Sequence, residues 1–109
     1  MSLDVQQVGD ALLDALRAAL KDEWPAVKDY AEAQAKALAQ TLAQIAAMRA
    51  SGEINDVQAR LQLNMQRHAS EAALLGAEGL GEVAAQRAIN GALAAVKSVV
   101  NGAIGFALL

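Results

Sequence analysis

The amino-acid sequence predicts an all-α protein, an antiparallel bundle of three or four amphipathic helices that self-associates. Alanine, which has the highest helix propensity, supplies 27 of the 109 residues, and the chain contains a single proline. Apolar residues recur at spacings of three and four, as they do on the buried face of a helix. The length and the lack of a low-complexity linker predict one domain, residues 1–109. Its helices are expected at about residues 3–23, 25–50, 54–75 and 82–106.

The first predicted helix has an apolar face that includes Val8 and Leu12, and Asp14 lies on its opposite face. This helix is expected to stop at Trp24, because a clash with the following proline disfavours the helical conformation. Pro25 suits the first position of the second helix, where no backbone N–H is needed.

The second predicted helix carries Leu38 and Leu42 on its apolar side. Lys28 and Glu32 are four residues apart on the other side, which is expected to face solvent. Gly52 ends this helix, because glycine readily adopts the left-handed conformation of a helix C-terminus.

The third predicted helix begins after Asn55, a residue type favoured at the N-cap. Its charged pairs, among them Arg67 and Glu71, are expected to point outward. An apolar line at helical spacing is expected to point inward and comprises Ile54, Val57, Leu61, Met65, His68, Ala72 and Leu75.

Three glycines, Gly76, Gly79 and Gly81, separate the third helix from the final apolar segment. Each glycine inside a helix costs about 1 kcal/mol relative to alanine, which favours a loop. The apolar spacing nevertheless continues through this stretch without losing phase. The sequence therefore allows either a loop or one continuous helix from residue 54 onward.

The final segment has no acidic residue after Glu82, and its charges are Arg87 and Lys97. A helix that is apolar over most of its circumference needs to be covered by the rest of the chain, a second copy, another protein or a lipid bilayer. We expect its contact surface to comprise Val83, Ala84, Ala88, Ile89, Ala92, Leu93, Val96, Val100 and Ile104.

Residues that could support catalysis or bind a metal are sparse. His68 is the single histidine, and with Glu71 it provides too few ligands for a metal site of the kind found in helical bundles. No catalytic residue, cofactor-binding residue or metal ligand is predicted, and the chain is not expected to be an enzyme.

The preferred functional hypothesis is a non-enzymatic interaction or structural module that forms a homo-oligomer, or packs on a helical partner, through its C-terminal helix. A membrane-associating or pore-forming helical protein is the alternative, and a metal- or ligand-binding bundle at His68 is a weaker one. The net charge of −3 and the lack of a basic cluster argue against nucleic-acid binding. The N-terminus does not resemble a signal peptide, so a cytoplasmic location is the default expectation, with membrane association as the alternative.

Overall fold

Five helices make up the regular structure of the residues that the structure describes. A computed structural model describes residues 3–77 and 79–109, and these residues contain no strand. The radius of gyration, 13.5 Å, is close to the value of about 13 Å expected for a compact chain of this length. The all-α prediction is therefore confirmed. The helices are α1 (Val5–Ala19), α2 (Trp24–Ala50), α3 (Asp56–Leu74), α4 (Glu82–Ala95) and α5 (Lys97–Ile104).

α1 begins at a side-chain cap and ends earlier than the sequence predicts. The carboxylate of Asp4 accepts hydrogen bonds from two backbone N–H groups of the first turn, at 3.0 and 3.2 Å. The helix ends at Ala19, and a turn leads to Trp24, which is the first residue of α2. Trp24 is thus compatible with a helix start, because the following Pro25 lies in the first turn, where a backbone N–H would have no partner within the helix and proline loses nothing by lacking one.

α2 is the longest helix, and it packs against both α1 and α3. Leu38 and Leu42 are fully buried, as predicted. The solvent-facing side is also confirmed, since Lys28 and Glu32 are exposed and 4.0 Å apart. Gly52 has a φ of 79°, so it terminates the helix in the left-handed conformation expected of it.

The start of α3 is held by a reciprocal cap and an ion pair. The Asn55 side chain accepts the Gln58 N–H at 2.8 Å, and the Gln58 side chain accepts the Asn55 N–H at 2.9 Å. This capping box confirms Asn55 as the N-cap. The Arg49 Nε donates to the Asp56 Oδ1 at 2.6 Å, so the first residue of α3 is tied to the end of α2.

Side-chain hydrogen bonds and buried residues identify the face of α3 that points inward. Thr41 of α2 donates to the side-chain carbonyl of Gln66 at 3.2 Å, and Gln66 donates to Ser70 at 3.0 Å. Ser70 is fully buried, and its hydroxyl has a partner within the fold. The buried residues of α3 are Ala59, Leu63, Ser70 and Leu74.

The prediction that the other apolar line of α3 points inward is wrong. Val57, Leu61, Met65 and Leu75 are 71%, 58%, 64% and 42% exposed. His68 and Ala72 are exposed too, and in this predicted line Ile54 alone is partly packed on the core. The physical reason is that α3 has apolar residues on two faces, and a helix on the outside of a single domain can bury only one.

The glycine-rich stretch is a loop and not part of a continuous helix. α3 ends at Leu74 and α4 begins at Glu82. Gly79 has a φ of 84°, a conformation that interrupts a helix and that glycine adopts without steric cost. Leu80 is buried, which anchors the loop to the core.

The final segment forms two helices where the sequence predicted one up to residue 106. The helix is interrupted at Val96, whose N–H donates to the Leu93 carbonyl at 3.2 Å, an i to i−3 bond typical of a tightened last turn. α5 then ends at Gly105, which has a φ of 90°. Beyond it, the backbone of Leu109 donates to the side chain of Asn101 at 2.9 Å, so the end of the chain folds back on α5.

α4 packs against α1 and α3 through small residues. Ala85, Ala88 and Ala92 are all at most 1% exposed. Small side chains at a helix contact shorten the distance between the two helix axes. The seam therefore has no room for a larger residue at these positions.

We expect Ala88→Leu to lower the free energy of unfolding by about 1–3 kcal/mol, because extra methylene groups would overpack this seam. Urea unfolding followed by circular dichroism measures the change. Ala94→Leu on the exposed side of the same helix is the matched control and should change stability by less than about 0.5 kcal/mol. Equal effects of the two substitutions would show that α4 is not packed as described.

Candidate interaction surface

The most prominent surface feature is a line of exposed apolar side chains on α3, which we call the α3 outer face. Eight large hydrophobic residues of the described chain are exposed, and four of them lie on or next to this one helix. Spacings of three and four place its members on one side of the helix, over roughly 28 Å at about 1.5 Å per residue. The α3 outer face comprises Val57, Leu61, Met65, His68, Ala72 and Leu75.

One edge of the α3 outer face is charged, and the other is neutral. Arg60, Asn64, Arg67 and Glu71 follow each other at spacings of four, three and four, so they form a second line beside the apolar one. The neutral edge consists of glutamine and alanine side chains. The surface is thus an apolar strip with polar borders.

The charged edge borders a groove of about 290 Å³ between α3 and the α4–α5 region. Asn64 and Arg67 line it from α3, and Asn90 and Lys97 line it from the opposite side. The four side chains provide two positive charges and two amides.

The two arginines nearest the α2–α3 turn lie over the ring of Phe106. The Arg49 and Arg60 guanidinium carbons are 5.5 and 5.4 Å from the ring centroid, within the range of a cation–π contact. Arg60 also donates to the Ala107 carbonyl at 3.4 Å. The Arg60 side chain is therefore held along the edge of α3 while remaining exposed.

Glu71 is a half-buried carboxylate at the other end of the charged edge. Within residues 3–77 and 79–109, the ion pairs join Lys28 to Glu32 and Arg49 to Asp56. Glu71 takes part in neither of these pairs.

The contact residues predicted in the C-terminal segment lie mostly inside the chain's own core. Val83 is 60% exposed, whereas Ala84 and Ile104 are half-buried. Most of these residues are packed against the chain's own helices. The segment's contact with another chain stays a prediction. The six buried members are Ala88, Ile89, Ala92, Leu93, Val96 and Val100.

Sequence reasoning missed the α3 outer face as a surface, although it recognised the residues as an apolar line. The signal that could have corrected this is the second apolar line on the same helix, which contains Leu63 and Leu74. Two apolar faces on one helix indicate that one of them is left for solvent or for a partner.

His68 lies on the α3 outer face and is exposed, while Glu71 lies at the border of that face. In the described ranges 3–77 and 79–109, no three His, Cys, Asp or Glu residues are close enough together to hold a metal ion. The structure therefore brings no further ligand to His68 within this part of the chain.

No helix in the described part of the chain combines the length and the apolar character needed to cross a bilayer. No known family, curated protein or solved structure matches this chain significantly. The interpretation of the surface therefore depends on the chain's own sequence and geometry.

Two leucines on α3, two residues apart, test which face of the helix is buried. Leu63→Ala should lower the free energy of unfolding by about 2–5 kcal/mol, because Leu63 is 5% exposed. Leu61→Ala should change it by less than about 0.5 kcal/mol when measured at low micromolar protein concentration. Urea titrations of both variants give the comparison. The reverse order would mean that α3 is rotated, with its predicted line inward.

Proposed function

We propose that this chain is a non-enzymatic structural or interaction module that self-associates, and that the α3 outer face is its contact surface. The observation that supports the proposal is the continuous row of exposed Val57, Leu61 and Met65 on a chain whose other helices bury most of their large apolar residues. An exposed apolar patch bordered by polar residues is typical of a protein-interaction site.

We infer that the long helices are arranged as an antiparallel bundle. The connections between α1, α2, α3 and α4 span residues 20–23, 51–55 and 75–81. Consecutive helices in this series contact each other, and short connections between contacting helices favour antiparallel neighbours. In this arrangement α3 is an outer helix, and its outer face is accessible along its whole length.

Burial of the α3 outer face supplies the driving force for association. Removing a leucine or methionine side chain from water contributes about 1.5–3 kcal/mol when burial is complete. Association also has an entropic cost of about 4–15 kcal/mol. The two ranges are of similar size, so a contact of a few large side chains on each copy is expected to give a weak, reversible complex, and we take a micromolar dissociation constant as the working value.

The C-terminal segment is a less favourable contact surface than α3. Ala88, Ile89 and Val100 are fully buried against the chain's own helices. Presenting them to a partner requires separating α4 or α5 from the core, which exposes the same apolar surface that the contact would bury. The α3 outer face needs no such rearrangement.

Introducing positive charge into the α3 outer face should abolish self-association. We expect the mass of the wild-type chain in light scattering to rise above that of one chain between about 5 and 500 µM, the range set by a micromolar dissociation constant. The double variant Leu61→Lys/Met65→Lys should stay at the mass of one chain, because desolvating a lysine in an apolar contact is unfavourable.

Val83→Lys is the matched control, because Val83 is similarly exposed on α4 and belongs to the predicted C-terminal contact. It should associate like the wild-type chain. Circular dichroism should show the same helix content for all three proteins. A wild-type chain that remains monomeric throughout would overturn the proposal, and loss of association in Val83→Lys alone would assign the contact to the C-terminal segment.

A further inference from the structure

We propose that the occupant of the α3 outer face is the α3 helix of a second copy running in the opposite direction, with the two-fold axis near Met65 and Gln66. This inference rests on the proposed self-association and specifies its direction, its register and the charged residues that select it. Three features of α3 support it: the order of its apolar residues, the order of its edge charges, and the availability of those charges.

The apolar residues match when one copy of α3 is reversed. Reversal about the middle of the helix places Val57 opposite Leu75 of the second copy and Leu61 opposite its Ala72. Met65 lies close to Met65 of the second copy. Large side chains then meet one another at the centre and at both ends of the contact, and Leu61 lies over the smaller Ala72 between them. A two-fold contact is also the commonest symmetry of homodimers.

The charged edges of two copies are complementary to each other only when the two α3 helices are antiparallel. In an antiparallel helix pair, the same edge of each copy lies side by side. Reversal places Arg60 opposite Glu71 of the second copy and Asn64 opposite its Arg67, so the one acidic residue of this edge meets an arginine of the other copy. In a parallel pair, the charged edge would lie beside the neutral edge, and neither Arg60 nor Glu71 would gain an oppositely charged partner.

Both members of the proposed pair are available. Glu71 is in neither of the ion pairs of the described chain. Arg60 lies over the face of Phe106, but stacking uses the face of the guanidinium and leaves its N–H groups in the plane of the group. A guanidinium has five N–H donors, so Arg60 can keep its contact with the Ala107 carbonyl and donate to a carboxylate as well.

The size of the contact is consistent with a weak dimer. One helix pair over roughly 28 Å buries less than about 1,200 Å² in total, the range of transient complexes. In such an interface, electrostatic complementarity decides which orientation and partner are selected more than it decides affinity. The Arg60–Glu71 pairs therefore act mainly on direction and register.

Charge reversal followed by mixing tests the pairing. Arg60→Glu and Glu71→Arg should each weaken self-association about tenfold, because each variant turns two attractive pairs per dimer into two repulsive ones. An equimolar mixture of the two variants should recover wild-type affinity. In the mixed dimer, one site keeps the natural pair of Arg60 and Glu71, and the other site brings the two substituted side chains together with opposite charges. Sedimentation equilibrium at low ionic strength measures all three samples.

The mixing experiment separates pairing from misfolding. If Arg60→Glu merely loosens the contact with Phe106, the mixture will associate no better than the weaker variant, which overturns the inference. If both variants associate like the wild-type chain while Leu61→Lys/Met65→Lys is monomeric, the antiparallel charge pairing is wrong and the proposed function stands. If the wild-type chain does not associate at all, both this inference and the proposed function are wrong.

Cysteine cross-linking tests the register, and the natural chain contains no cysteine that would interfere. Two cysteines can form a disulfide when their Cα atoms are within about 7 Å. Under mild oxidation, a mixture of Val57→Cys and Leu75→Cys should form a cross-linked dimer, whereas Val57→Cys alone should not. Met65→Cys alone should cross-link because it lies near the two-fold axis. Efficient cross-linking of Val57→Cys with itself would indicate parallel helices and overturn the inference.

Discussion

The rotation of α3 about its own axis decides which residues form the core and which form the surface of this protein. Where α2 turns into α3, the observed orientation is favoured by the ion pair between Arg49 and Asp56. Farther along the helix, Gln66 bridges Thr41 and Ser70. The bonds from Arg49 to Asp56 and from Thr41 to Gln66 join α2 to α3, so turning α3 about its axis would break both of them.

At this rotation of α3, several large apolar side chains are left exposed. Val57, Leu61 and Met65 remain in contact with water, while the smaller Ala59 and the polar Ser70 occupy the core side. Leaving these residues in water is unfavourable, whereas the burial of Leu63 and Leu74, the Arg49–Asp56 ion pair and the Thr41–Gln66 hydrogen bond favour the observed rotation. The proposed association through the α3 outer face resolves this conflict, because a second helix removes the large apolar residues from water without disturbing the polar contacts on the inner side.

The end of the chain packs against the same turn between α2 and α3. Arg49 pairs with Asp56 and also lies over Phe106, and Arg60 contacts the same ring from α3. The side chains at the α2–α3 turn thus also position the segment after α5, where Leu108 is buried. The apolar character of the C-terminal segment is explained by this internal packing, so it does not by itself require another molecule.

The sequence alone determined the helical class, the solvent-facing side of α2, the cap at Asn55 and the turn at Gly52, because each depends on residues within one or two turns of each other. It did not determine the end of α1, the choice between loop and helix at Gly76–Gly81, or the break at Val96. Nor could it choose between the two apolar faces of α3, since hydrophobic periodicity shows that a face is apolar but not which helix covers it. Only the tertiary structure decided that choice, because the contacts that orient α3 include residues far apart in the sequence, such as Thr41 and Gln66.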